Sequence, residues 1–344
     1  MAVLSQTSAK YDVISVIDAD LDQLIEVWEN CSRPKHWCNP WSLMGDNAIY
    51  LLEIFVENKL VAYFPFNVRK FNRTKIIRPA NYELTLDFID LCVKKDFEEI
   101  AKERFVQWLL DQKNSALDIF MCSEESLIVD ACKNIETILI MKRGIYYSSR
   151  LKSSLDEFIM GLSRSPRADA RKVLKRYEDH LSLQIVHKEN EEVLLDAYTE
   201  LVNLHENLFK SSSAFLPHME KMKKFIIDTS NKEIFIFFQA KDGTKVVATN
   251  LMVISNKTIG LIQVGRLDNN SYNKVGTWLL IKSIEWAIEN DFKKIEYFFG
   301  DQEYKRRFSN SKKDAVSIQY FSSVFNKYMY RIFQRLGKYF KTLR

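Results

Sequence analysis

Apolar positions follow two periods along this chain, and the clearest change of period lies between Lys257 and Phe308. A β-prone run from Ile259 to Leu267 is followed by a polar loop, Asp268 to Lys274. From Val275 the apolar residues Leu279, Leu280, Ile284, Ala287 and Ile288 recur at helical spacing. A second β-prone run, Ile295 to Phe299, ends in Gly300-Asp301. Strand, loop, helix and strand in that order predict a βαβ unit. Gly276 heads its helix, where free backbone N–H groups and the helix dipole favour phosphate.

The same order of elements is expected twice. In the first half, a helix over Leu21 to Trp28 precedes a polar and aromatic loop, Cys31 to Trp41. A hairpin follows, Tyr50 to Val56 and Leu60 to Val68, turning at Glu57-Asn58-Lys59. Then come a strand at Lys75 to Arg78, a helix at Ile100 to Leu110 and a strand at Leu117 to Met121. In the second half, a helix over Val193 to Phe209 precedes a loop, Lys210 to Pro217, and a hairpin, Ile234 to Gln239 and Val246 to Ile254. The βαβ stretch completes the copy. The repeat is one of architecture rather than residues, and the first copy has no glycine at its helix start.

Between the copies, SRSPRADARKVLKRYE predicts a basic helix within Leu155 to Glu178. Its Arg164, Arg167, Arg171 and Lys175 share a face suited to solvent or to an anion. The expected divisions are therefore 1–150, a connecting helix at 151–180, a second module at 181–321, and a terminal helix at 322–344. In that last helix Phe325, Tyr328, Met329, Ile332, Phe333 and Leu336 repeat at three and four, opposite Lys327, Arg331, Arg335, Lys338 and Lys341. It is expected to be amphipathic, with its apolar face on the protein or on an anionic bilayer surface.

Charge sharpens that expectation. The net charge is +5 over 344 residues, yet Tyr304 to Arg344 holds eleven Lys and Arg against one acid, Asp314. That segment is +10, and the rest is slightly acidic. No apolar run approaches a membrane span, and the first residues show no secretory pattern. Five scattered cysteines without a CxxC fit reduced thiols in a cytoplasm. Cys31, His36 and Cys38 cluster but find no zinc-like partner pair, so no metal is expected.

Three blocks carry a family resemblance: the basic helix Ser163 to Tyr177, the helix and loop Leu201 to Phe215 with His205, and Gly265 to Phe308, ending in GDQEYKRRF. Together they resemble the GNAT-superfamily acyltransferases of the CelD/BcsL-like type found in cellulose and exopolysaccharide clusters, relatives of the Fem-type aminoacyltransferases. The resemblance implies an α/β fold of mixed sheets in two tandem GNAT-like modules, the first degenerate. It implies an acyl-CoA co-substrate, chiefly acetyl-CoA, and transfer to an amine or hydroxyl of a glycan or amino-sugar acceptor. The family's phosphate loop matches Asn273-Lys274-Val275-Gly276-Thr277-Trp278, departing from the pattern at Asn273 and Trp278. The implied CoA contacts are Val264, Gly265, Arg266, Lys274, Val275, Gly276 and Thr277.

The chemistry expected beside them uses Asp301, Tyr304 and His205 for proton transfer, with Lys305, Glu303, Arg167 and Arg171 receiving the acceptor. No Ser-His-Asp or Cys-His spacing supports a covalent intermediate. Competing readings are an aminoacyl-tRNA-dependent Fem-type transferase and an inactive GNAT-like binding module. DNA is not an expected partner. The expected location is cytoplasmic, with peripheral contact to the inner membrane face through the basic tail.

Overall fold

The structure, a computed structural model, describes residues 9–44, 46–84, 88–188, 190–209 and 213–342. Contacts divide the chain into two compact units. Unit 1 comprises Met1–Tyr82, Asp87–Gly144 and Asp314–Arg344, and unit 2 comprises Glu83–Leu86 and Ile145–Lys313.

Unit 1 begins with β1 (Ala9–Ser15) and α1 (Leu21–Glu29). The Asp20 carboxylate caps α1 by accepting from the N–H groups of Asp22 and Gln23, and Leu24 and Val27 face the core. After α2 (Pro40–Leu43) come β2 (Ile49–Val56), β3 (Lys59–Phe71) and β4 (Thr74–Pro79). Glu57 and Asn58 both have positive φ, 51° and 63°, which suits the tight turn joining β2 to β3. The two-residue β5 (Cys92–Val93), α3 (Glu98–Asp111), β6 (Ser115–Ser123) and α4 (Leu127–Cys132) follow. The strand order is β1-β2-β3-β4-β6, antiparallel except for the parallel β4–β6 pair that α3 connects. Tyr63, Phe64, Phe105 and Trp108 are buried at its centre.

Strand β7 (Ile138–Arg150) leads into unit 2, where α5 (Leu155–Gly161), α6 (Arg164–Tyr177) and β8 (Ser182–Val186) come first. The expected basic helix is thus two helices, broken at Leu162-Ser163. Next come α7 (Glu191–Phe209), α8 (Met219–Asp228), β9 (Phe235–Asp242), β10 (Lys245–Ser255) and β11 (Thr258–Arg266). Then follow α9 (Val275–Glu289), β12 (Lys294–Phe299) and α10 (Glu303–Phe308). Here the order is β8-β9-β10-β11-β12-β7, antiparallel except for the parallel β11–β12 pair across α9.

The last elements are β13 (Ser311–Phe321) and α11 (Val324–Thr342). From Ala315 to Phe321, β13 pairs antiparallel with β6 and so completes the sheet of unit 1. Unit 2 is completed in the mirror-image way by residues Tyr146 to Arg150 of β7, which pair with β12. The α/β fold and the repeated strand order agree with the sequence expectation. Strands β1, β7 and β8 and helices α4 and α8 were not foreseen. Part of the expected loop Lys210–Pro217, residues 210–212, lies outside the described residues, as does Leu343 of the terminal helix.

Candidate active site

The site of unit 2 starts from a parting of strands. Strand β11 pairs with β12 only where Thr258, Ile259 and Gly260 meet Lys294, Ile295 and Glu296. From Leu261 onward the edge of β11 is free of β12, while β10 still holds its other side through Arg266. A register shift beside Leu251 and Met252 bends β10 and β11 at the point of divergence. Free backbone donors and acceptors at such a gap can pair with an extended amide-bearing ligand.

Gly265 sits at this gap for a reason the sequence did not reveal. A Cβ there would lie 2.8 Å from the Leu204 Cβ, 3.0 Å from the His205 nitrogen and 3.0 Å from the Leu201 oxygen. The close approach is that of the α7 backbone. Gly265→Ala is therefore expected to cost about 1–3 kcal/mol through overpacking, read as a lower urea midpoint with an unchanged slope. A midpoint equal to the parent's would show that α7 can move aside.

Gly276 differs. A Cβ there would meet only the flexible Arg266 Cδ, at 3.3 Å, so packing does not demand glycine. The residue before the helix, Lys274, has φ 67° and caps α9 without a side-chain bond. Thr277 and Trp278 donate to the Lys274 carbonyl at 3.0 and 3.1 Å, which leaves the N–H groups of Val275 and Gly276 without a partner inside the helix. Trp278, which departs from the family pattern, turns into the core and packs edge-on against Tyr177. Asn273, the other departure, presents its carbonyl to the Tyr177 hydroxyl at 2.9 Å and to Arg176 at 3.3 Å. Helix α6 thereby steadies the loop.

Asp169, the single acid of the basic helix, ties two parts of the site together. It pairs with Lys274 at 3.0 Å and with Arg307 of α10. Arg307, then Lys274, hold its carboxyl below the usual range. Arg167 and Arg171 lie elsewhere: Arg167 donates to the Leu162 carbonyl at 2.9 Å and Arg171 contacts the Met160 sulfur at 3.1 Å, both at the α5–α6 junction.

The end of β12 supplies the remaining groups. Gly300 has φ 120°, a conformation L side chains rarely adopt, and it turns the chain toward α10. Asp301 is exposed and accepts a hydrogen bond from the Tyr147 hydroxyl at 2.9 Å. Tyr304 reaches the gap, and burial pushes its phenol up, so it stays protonated at neutral pH. Lys305 is only 6% exposed, and its ammonium donates to the Phe299 carbonyl at 2.7 Å. Burial lowers its pKa to about 8. Glu303 is exposed and lies 3.5 Å from Arg307.

His205 is 4% exposed. Its Nδ1–H donates to the Val264 carbonyl at 2.7 Å, and the Ser213 hydroxyl, also at 2.7 Å, bonds Nε2. Burial lowers its pKa, which favours the neutral ring. With both nitrogens engaged, His205 is a strut joining α7, β11 and the Ser213 loop rather than an open base. This departs from the sequence expectation, because the helical position of a histidine does not reveal what its second nitrogen meets.

One cavity lies along the gap, and Asp169, Asp301, Glu303, Lys305 and His205 are not among its lining residues. It is about 290 Å³ and is lined by Val264, Gly265, Arg266, Lys274, Gly276, Thr277 and Tyr304, together with Asn250, Leu261, Asn273 and Leu280. Of the expected CoA contacts, only Val275 turns away, into the core. In unit 1, helix α3 opens with Glu98 and Glu99 in its first turn, a start that disfavours phosphate, and Glu98 is paired with Arg33 at 3.1 Å.

Residues 164–306 match the acetyltransferase (GNAT) domain family. The GNAT stretch contains α6, the gap, α9 and most of α10, so the match covers the whole cavity and supports acyl transfer. No curated protein matches the chain. Among solved structures, L-PGS from Bacillus licheniformis superposes with TM-score 0.60 at 11% identity, over 93% of this chain and 97% of that one. The C-terminal domain (DUF2156) of a candidate lysylphosphatidylglycerol synthetase from Agrobacterium fabrum gives 0.59 at 10%, over 91% and 94%. FemX gives 0.59 at 6%, over 93% and 99%. These likenesses establish the fold. Asp169, Tyr147 and Tyr177 were missed from sequence. Only Asp169 carried a signal, as the lone carboxylate between Arg164 and Arg176.

Proposed function

We propose that unit 2 is an acyl-CoA-dependent acyltransferase, with acetyl-CoA its chief donor. The observation that carries this reading is the cavity shared by the free edge of β11, the glycine-headed start of α9 and the half-buried Tyr304. The pyrophosphate would sit on the N–H groups of Val275 and Gly276. The pantetheine arm would extend along β11 from Val264 to Arg266.

In this reading the acceptor attacks the thioester carbonyl, forming its bond to carbon as the carbon–sulfur bond breaks. Tyr304 gives its proton to the departing thiolate, and Asp301 takes the proton lost by the acceptor. Lys305, still mostly protonated at neutral pH and bonded to the Phe299 carbonyl next to Tyr304, would contribute positive charge as the carbonyl oxygen becomes negative. His205 holds β11 in place for this step.

The acceptor is proposed to be an amine or hydroxyl of a glycan or amino sugar, following the likeness of the GDQEYKRRF block to the CelD/BcsL-like enzymes. Aminoacyl transfer of the Fem type is the second reading, favoured by the FemX-like fold across 93% of the chain. Thermal shift separates the two. Acetyl-CoA at a hundredfold excess over its Kd is expected to stabilise the fold by about 2.7 kcal/mol, and charged tRNA to leave it unchanged. Stabilisation by charged tRNA alone would transfer the proposal to the Fem type.

A further inference from the structure

Helix α11 presents two different apolar faces. The inner face is used by unit 1: Asn326, Met329 and Tyr330 are buried, and the Phe333 ring lies 5.6 Å from that of Phe71. Polar bonds fix this face. Thr74 donates to the Asn326 side chain at 2.8 Å, and the Tyr330 hydroxyl bonds Asp118. Covering the sheet of unit 1 therefore accounts for these positions.

The outer face has no such explanation. Val324 is 86% exposed and Tyr328 64%, which makes them the two most exposed large apolar side chains among the described residues, and Phe325 beside them is 56% exposed. Arg331 and Arg335 are exposed further along the helix, and Lys327 is half-buried. The helix contains no acidic residue, and its sequence continues the pattern with Lys338 and Lys341. Burying one apolar face and leaving a second exposed is costly in water unless something else covers it. A partner for this face must accept aliphatic and aromatic groups and answer a row of cations that no acid on the helix opposes.

We propose that the outer face of α11 rests on an anionic lipid bilayer, with Val324, Phe325 and Tyr328 in the interfacial layer and the basic side chains among acidic headgroups. Valine, phenylalanine and tyrosine supply the apolar and interface-seeking groups of a helix lying in the membrane plane. Lys327, Arg331 and Arg335 supply the attraction. Among the described residues no helix is long and apolar enough to cross a membrane, so the contact is lateral. The inner face stays on unit 1 throughout, and no side chain is asked to be buried twice.

Co-sedimentation with vesicles tests this on the full chain. At low salt the protein is expected to pellet with phosphatidylglycerol–phosphatidylcholine vesicles, to be released by high salt, and to stay in solution with phosphatidylcholine alone. Phe325→Ser with Tyr328→Ser should weaken binding at least tenfold. Arg331→Gln with Arg335→Gln should weaken it roughly thirtyfold, at about a factor of five per charge. All four side chains point away from the core, so both variants should keep the parent's melting temperature. Absence of binding at low salt, or equal binding by parent and both variants, would overturn the proposal. Tighter binding to a short DNA duplex than to the vesicles would also overturn it, by assigning the face to nucleic acid. None of these readouts depends on acyl transfer.

Discussion

Gly276→Glu is expected to abolish acetyl-CoA binding, weakening it at least a hundredfold, while leaving the protein at least as stable as the parent. The two halves of this expectation have separate causes. A Cβ at 276 meets only the flexible Arg266 Cδ, so the new side chain has room. Glutamate replaces glycine at the second position of α9, which gains up to about 1 kcal/mol of helix propensity and about 0.3–1 kcal/mol from the helix dipole. The same carboxylate stands where the pyrophosphate would sit. Two like charges about 4 Å apart near a protein surface repel by roughly 4 kcal/mol. Calorimetry with acetyl-CoA and a melting curve measure the two halves independently. A variant that binds acetyl-CoA within tenfold of the parent would move the cofactor site away from α9.

The second large effect is expected at Lys305. A buried ammonium hydrogen-bonded to the neutral Phe299 carbonyl is costly to the fold. Its pKa falls from 10.5 to about 8. Below pH 8 both folded and unfolded chains hold the proton, and the full cost of burying the charge is present. Between pH 8 and 10.5 the folded chain has released the proton and the unfolded chain has not. The unfolded state then binds more protons, so the contribution of Lys305 to stability rises with pH through that window. The total change is on the order of 3 kcal/mol. Lys305→Met keeps the volume and removes the charge. It is expected to be as stable as the parent or more so at pH 7, with the parent gaining on it as pH rises from 8 to 10.5. Turnover should fall roughly 10²–10³-fold, as for loss of one oxyanion-stabilising donor. Full turnover, or a stability difference that is flat with pH, would remove Lys305 from the proposed chemistry.

The regular parts of this fold were legible because they rest on local patterns. The hairpin at Glu57-Asn58, the α9 helix and the repeated order of elements follow from apolar spacing and turn residues. The cavity lining was largely legible too, since six of the seven expected CoA contacts, all at the end of β11 or the start of α9, line it. What escaped depends on contacts distant in sequence. The need for glycine at 265 comes from Leu201, Leu204 and His205, sixty residues earlier. The engagement of His205 depends on Val264 and Ser213, and the value of Asp169 on Lys274 and Arg307. Edge strand β8 lacks a strong alternation because only Val186 is buried.

The completion of unit 1 by β13 has a consequence for synthesis. The partner of β6 is encoded about 190 residues after it, as the bond from the Asp314 N–H to Glu124 shows. At 5–20 residues per second the ribosome needs roughly 10–40 s to cover that distance. Throughout that time the nascent chain carries an open sheet edge at β6, the kind of edge that recruits foreign strands. The sheet of unit 1 can therefore close only after synthesis has passed β13, and until then the edge of β6 is open to pairing with other strands.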